Sequence, residues 1–378
     1  MGSTVCLFAN TLGYPEGGGH RWVYLNWALG LRSLGYDVIW LEAVQPRSRV
    51  CEVRANAATL RNQLEPYGLA ERVALCSWTS RCLAAEIVEQ YLTIDTAATA
   101  ELLLNMAYAA PEHVIRRFRR SVLIDIDPGL LQVWISTGGI KVAPHDVYFS
   151  IGETVGQPGA RFPNAGLEWH YTPPCVALDW WPVCTARADA AFTTVSNWYT
   201  ADEWMEDEQG VYANDKRDGF LPYLDLPQHS MQPLELALCL SPDESDERTG
   251  LEQKGWRVAD STAVACTPVE YQRYIQESRG EFSCVKPSCL RLQNAWISDR
   301  TLCYLASGKP AVVEHTGQSR FLPDASGLFR FRSLEEAARS LELVASDYES
   351  QCQLARQLAE EYFDATKVVG HVLERALA

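Results

Sequence analysis

The run TVCLFANTLGYPEGGGHRWVYLNWALGLRSLGYDVIWLE, Thr4 to Glu42, constrains the fold more than any other part of this 378-residue chain. TVCLF is short, apolar and β-rich, TLGYPEGGG is turn-forming, and DVIW after Gly35 is a second β-rich run. Between them, residues placed at 100° intervals put Val23, Trp27, Leu31 and Leu34 within an arc of about 80°, the apolar stripe of a helix that packs on a sheet. Strand, glycine turn, helix and strand in this order open a doubly wound α/β domain, whose ligands bind at the carboxyl ends of the strands. Gly17, Gly18 and Gly19 stand at that end. Lacking Cβ atoms, they let the backbone bend and approach a ligand closely, while the helix start offers unpaired N–H groups to an anionic or hydroxyl-rich group.

The spacing of these glycines departs from G-x-G-x-x-G, and G-x-x-x-x-G-K-[ST] is absent, so dehydrogenase and nucleotide-hydrolase readings lose their main support. His20 falls in the first helical turn, where it is a candidate general base, substrate contact or cap. A second candidate base is Asp127 in LIDIDPG, at the carboxyl end of another apolar run. Asp125 and Asp127 have a D-x-D form, and on one strand they would share a face; two carboxylates need further ligands to hold a divalent cation. Glu153, between two glycines in SIGETVG, is a third candidate.

Net charge is −15, and the one dense basic run is RRFRR at Arg116 to Arg120, so a nucleic-acid partner is not expected. The start MGSTVCLFAN lacks a secretory pattern and no long uncharged apolar run occurs, which predicts no membrane span and a cytoplasmic location. The twelve cysteines are scattered without zinc-site spacing and read as reduced, mostly buried thiols.

The second informative region runs from Glu281 to Phe331. Ser298 caps a helix through DRTLCYLA, Gly308 closes it, and Pro310 prevents its continuation before the β-rich AVVEH. Ser333 and Glu336 then form a capping-box pattern, so the α/β alternation continues. The start of the Ser298 helix, with Ser298, Thr301, Arg300 and Lys286, offers N–H donors, hydroxyls and positive charge to an anionic group; plain helix capping uses the same geometry.

The segment from Ala306 to Gly317, ASGKPAVV followed by TG, resembles the C-terminal donor-binding domain of GT-B glycosyltransferases, and GGGHRWVYLNWALGLRSLGYDVIW resembles their N-terminal domain. The resemblance covers about the first 45 and last 170 residues. It implies two Rossmann-like α/β domains facing across a cleft, with a nucleotide-diphospho-sugar held by the second and an acceptor hydroxyl or amine by the first. No metal or other cofactor is implied. It also makes Lys216 and Arg217, in YANDKRDGFLPYLDLP, candidates for the donor diphosphate. A compensated NDKRD turn is the competing explanation for that pair.

The chain departs from the family where many retaining members carry two glutamates eight positions apart: here those positions are Ala295 and Cys303. Asp299 and Glu314 become alternative ribose or sugar contacts. Composition places the boundary near residue 185, giving 1–185 for the acceptor domain and 186–378 for the donor domain, with the last helix a candidate to cross back. Trp169, Trp180, Trp181 and Trp198 near that boundary are candidates for stacking on sugar or for packing. The expected activity is glycosyl transfer; a sugar-nucleotide epimerase and a non-catalytic binding protein are the alternatives.

Overall fold

The computed structural model describes residues 2–199, 204–207 and 210–378. The chain divides into two compact units: Met1–Pro158 with Phe162–Ala177 and Asp364–Ala378, and Gly159–Arg161 with Leu178–Phe363.

The first unit is built on an eight-stranded sheet of β1 (Thr4–Phe8), β2 (Asp37–Val44), β3 (Val73–Ser77), β4 (Leu92–Thr93), β5 (Leu102–Asn105), β6 (Ser121–Asp125), β7 (Val147–Ser150) and β8 (Trp169–Tyr171). Every pairing is parallel, in the order β4-β3-β2-β1-β5-β6-β7-β8. The order reverses direction between β1 and β5, the switch point where doubly wound sheets open a crevice at the strands' carboxyl ends. Val5, Cys6, Leu7 and Phe8 are all fully buried, as expected of a parallel strand covered on both faces.

The helix expected after β1 spans Gly18–Ser33. Its buried surface is broader than the anticipated stripe: Trp22, Leu25, Trp27, Ala28, Leu29 and Leu31 are all buried, whereas Val23 is intermediate and Leu34 exposed. The cause is a second layer. Helix Ala365–Leu377 packs on the side away from the sheet, so close that a Cβ on Gly30 would lie 2.9 Å from that of Ala365.

The second unit carries β9 (Phe192–Asn197), β10 (Trp204–Asp207), β11 (Gly210–Ala213), β12 (Leu234–Cys239), β13 (Arg257–Asp260), β14 (Gly280–Ser283), β15 (Ala311–Glu314) and β16 (Leu328–Phe331). β10 and β11 form an antiparallel hairpin, and the others a parallel sheet in the order β13-β12-β9-β14-β15-β16. Here the switch point lies between β9 and β14. The core below it is aromatic: Phe282 stacks on Phe331 with centroids 5.4 Å apart and planes 9° apart.

Helix Asp299–Ala306 starts at Ser298, whose hydroxyl accepts from Arg300 N, and Gly308 follows it with φ +68°. Both match the sequence reading. Trp181 and Trp198 are fully buried and Trp169 is 6% exposed, so these three are packing residues. Of the twelve cysteines five are buried, four intermediate and three exposed, fewer buried than expected.

Candidate functional site

The carboxyl end of β1 leads into a segment held from beneath by a buried carboxylate. Glu42, near the end of β2, accepts from Thr11 N at 2.9 Å, Thr11 Oγ1 at 2.5 Å, Leu12 N at 3.1 Å and Trp40 Nε1 at 2.9 Å. The sequence reading missed Glu42. Its signal was a single acid inside the apolar run DVIWLEAV, a residue type that is buried only with several donors around it.

The three glycines turn out not to form a loop. Gly17 is the N-cap, Gly18 and Gly19 already belong to the helix, and none has positive φ. A Cβ at position 17 would sit 2.3 Å from the ring of Tyr14, an exposed side chain that would have to move to admit it. His20 lies in the first turn and its Nε2 is 2.9 Å from the Asn10 carbonyl oxygen. Because a carbonyl only accepts, Nε2 is the donor in this contact, which leaves Nδ1 as the ring nitrogen turned away from it. The Tyr14 and Tyr24 rings pack edge-on against the imidazole.

The D-x-D pair divides between two environments, because β6 ends at Asp125 and the chain turns before Asp127. Asp125 is fully buried and accepts from Ser150 Oγ at 2.7 Å, Gln132 Nε2 at 2.8 Å and Asp127 N at 2.9 Å. Burial raises its pKa to about 7, against the opposing pull of the Gln132 and Ser150 bonds. Asp127 is exposed and accepts from Tyr108 OH at 3.0 Å. Two carboxylates held this way cannot share a face, so the strand-based metal geometry does not form. Asp127, Tyr108 and His20 all follow carboxyl ends of the first sheet's strands.

In the second unit one pocket gathers much of the sequence-predicted donor set. Its lining includes Lys216, Ser298, Arg300, Thr301 and Glu314, together with Ser283, Ala295, Trp296, Thr316 and Arg330. β14 delivers Ser283, β15 delivers Glu314, and helix Asp299–Ala306 delivers Arg300 and Thr301. The pocket therefore sits at the carboxyl ends of strands next to the switch point.

Lys216 begins the short helix Lys216–Phe220, and its Nζ donates to the Cys284 carbonyl at 2.7 Å. Burial, followed by the neighbouring Arg300 charge, lowers its pKa to about 8. Glu314 accepts from Tyr223 OH at 2.9 Å and Val285 N at 3.0 Å; burial raises its pKa and those bonds offset part of the rise. The Arg300 guanidinium is anchored, donating to Glu281 at 2.8 Å, the Val195 carbonyl at 3.0 Å and Ser283 Oγ at 2.5 Å. Ala295, at one of the positions where the family's glutamates stand, lines the pocket with φ +52°. Cys303, at the other, is buried and its Sγ lies 3.4 Å from Asp299 O.

Three further candidates do not line this pocket. Arg217 turns to Glu247 at 2.6 Å, and Lys286 and Asp299 are partly buried beside it. The sequence reading missed Ser283, Trp296, Thr316 and Arg330. Each lies in a separate segment, so only the strand order shows that they meet.

No protein-family model and no curated protein sequence matches the chain. Solved structures do. An alpha-glucosyltransferase in complex with UDP superposes with a TM-score of 0.61 at 10% identity, covering 99% of this chain and 100% of that one. Anabaena HepE in complex with UDP and glucose gives 0.57 at 11% identity, with 100% of each chain covered. Sucrose-phosphate synthase from Thermosynechococcus elongatus gives 0.55 at 11% identity, covering 99% of this chain. At such identity the likeness is one of fold, and it agrees with the two parallel sheets: the chain has the GT-B fold of these glycosyltransferases.

Proposed function

We propose that this protein is a glycosyltransferase that moves a sugar from a nucleotide-diphospho-sugar, of the uridine type, to a hydroxyl or amine. The observation that carries the reading is the second unit's pocket, where Lys216, Ser298 and Thr301 surround the first turn of helix Asp299–Ala306. A leaving diphosphate gains charge as the glycosidic bond breaks, and a lysine, hydroxyls and helix N–H groups stabilise that charge. The UDP and UDP-glucose complexes among the fold neighbours support a uridine donor.

In this reading Lys216 pairs with the diphosphate, and Ser298 and Thr301 donate to its oxygens. Arg300 adds field from its anchored position, Glu314 holds donor hydroxyls, and Arg217, Lys286 and Asp299 shape the surroundings. The acceptor belongs to the first unit, where the start of helix Gly18–Ser33 with Gly17, Gly18 and Gly19 contacts it. His20 removes the acceptor proton through Nδ1 if the transfer inverts, with Asp127 the competing base. The domain division of the proposal follows the two sheets, and the protein works in the cytoplasm without a metal ion.

The test is release of UDP from UDP-sugars by the intact chain, with UDP binding followed by calorimetry. Lys216→Ala is expected to raise the UDP Kd by at least tenfold and leave the fold intact. His20→Gln is expected to lower turnover by about 10²–10⁴-fold with UDP affinity unchanged. Failure of any nucleoside diphosphate to bind the wild-type chain overturns the proposal.

A further inference from the structure

The first unit contains a second cavity that the proposed transfer does not use. It is half-open and offers about 330 Å³ beside β3 and β4, within the range of small-molecule sites. Its walls are apolar, from Leu75, Leu83, Val88, Leu92, Ile94 and Val114. Its remaining lining is polar and holds two arginines, Arg81 and Arg117, against one acid, Asp95.

The two arginines differ. Arg117 is paired with Asp95. Among the described residues the Arg81 guanidinium has no hydrogen bond or ion pair, although its own backbone is fixed. Ser77 Oγ accepts from Thr79 N at 3.2 Å, and Thr79 Oγ1 accepts from Arg81 N at 3.3 Å. Two hydroxyls thus shape the turn after β3, which carries Arg81 as an exposed, uncommitted cation lining the cavity, in a chain whose net charge is −15. Apolar walls give affinity without direction, and one placed charge supplies direction, the usual division of labour in a small-molecule site.

We infer that this cavity binds an amphipathic anion: a ring-sized apolar body between β3, β4 and Val114, with a carboxylate or phosphate on Arg81. The guanidinium fork pairs with such groups through two parallel hydrogen bonds. The inference concerns binding alone and does not rest on glycosyl transfer.

Cys82 lines the same cavity and is exposed, whereas Cys51 and Cys239 are exposed but not part of it. Alkylation of the three thiols by iodoacetamide, followed by mass spectrometry on the intact chain, therefore locates a ligand. The probes are 1-naphthoate and its uncharged counterpart 1-naphthalenemethanol. Naphthoate is expected to slow alkylation of Cys82 at least fivefold and leave Cys51 and Cys239 unchanged, with the alcohol much less effective. Arg81→Met, which keeps the stem and removes the charge, is expected to abolish the difference between the two probes; Val88→Trp, which fills the cavity, is expected to abolish protection by both. Cys82 reacting at the same rate with millimolar naphthoate overturns the site. Equal protection by acid and alcohol, or protection indifferent to Arg81→Met, overturns the anion. Thermal melts of both variants confirm that each is folded.

Discussion

Arg300 and Glu281 form an ion pair inside the second unit: Nε lies 2.8 Å from Oε1, with Glu281 fully buried and the Arg300 side chain 12% exposed. The guanidinium joins the start of helix Asp299–Ala306 to β9 through Val195 and to β14 through Ser283. Breaking one side of such a pair leaves an uncompensated buried charge and typically costs ~3–5 kcal/mol. Glu281→Leu is expected to lose stability on that scale in urea unfolding. The double variant with Arg300→Leu is expected to recover part of it, and a double variant as unstable as the sum of the two singles contradicts this account.

Gly219 presents a different constraint. A Cβ there would sit 1.8 Å from the Val285 carbonyl oxygen, a backbone atom that has no rotamer to give way. Gly219→Ala is expected to destabilise the second unit by at least about 2 kcal/mol by displacing one segment from the other. Because Lys216 is on the same short helix, UDP affinity falls with it. An unchanged melting temperature refutes the steric argument.

The pH dependence of UDP binding follows from Lys216. Its pKa is lowered to about 8 by burial, and only the protonated form pairs with a diphosphate. The terminal phosphate, with a second pKa near ~6, is already ionised above neutrality. UDP binding by the wild type is therefore expected to weaken as pH rises through about 8. Lys216→Arg, which keeps its proton throughout, is expected to remove that slope, as calorimetry between neutral and alkaline pH would reveal.

Asp125 governs stability rather than binding. Its carboxyl pKa is raised to about 7 in the folded chain, while an unfolded aspartate titrates near ~3.9. Between those values the folded state holds a proton that the unfolded state has given up, so this group's contribution is full in acid and is lost as pH rises to 7. Asp125→Asn is expected to flatten the fall in stability over that window, read from urea midpoints in wild type and variant.

The sequence made the alternation of strands and helices legible because parallel strands buried on both faces are nearly pure apolar runs, as at Val5 to Phe8 and Ala311 to Val313. Caps were legible for the same local reason, as with Ser298 and Ser333. The pocket was legible in part. Lys216, Ser298, Arg300, Thr301 and Glu314 meet there because each lies near a strand end or helix start that local pattern can find. The direction of a side chain was not legible. Arg217 and Lys216 are neighbours in sequence, yet one turns to Glu247 and the other to the Cys284 carbonyl. A return of the last helix to the first unit was among the sequence expectations, but that it covers helix Gly18–Ser33 was not legible, because the two lie more than three hundred residues apart.

That remote partner sets an order of events. Ala365 and Val369 come so close to Gly30 that a Cβ there would clash, and the first unit is complete only when Asp364–Ala378 has been added. Synthesis from the N-terminus thus yields helix Gly18–Ser33 early and withholds the residues that cover its outer face until Asp364–Ala378 is made.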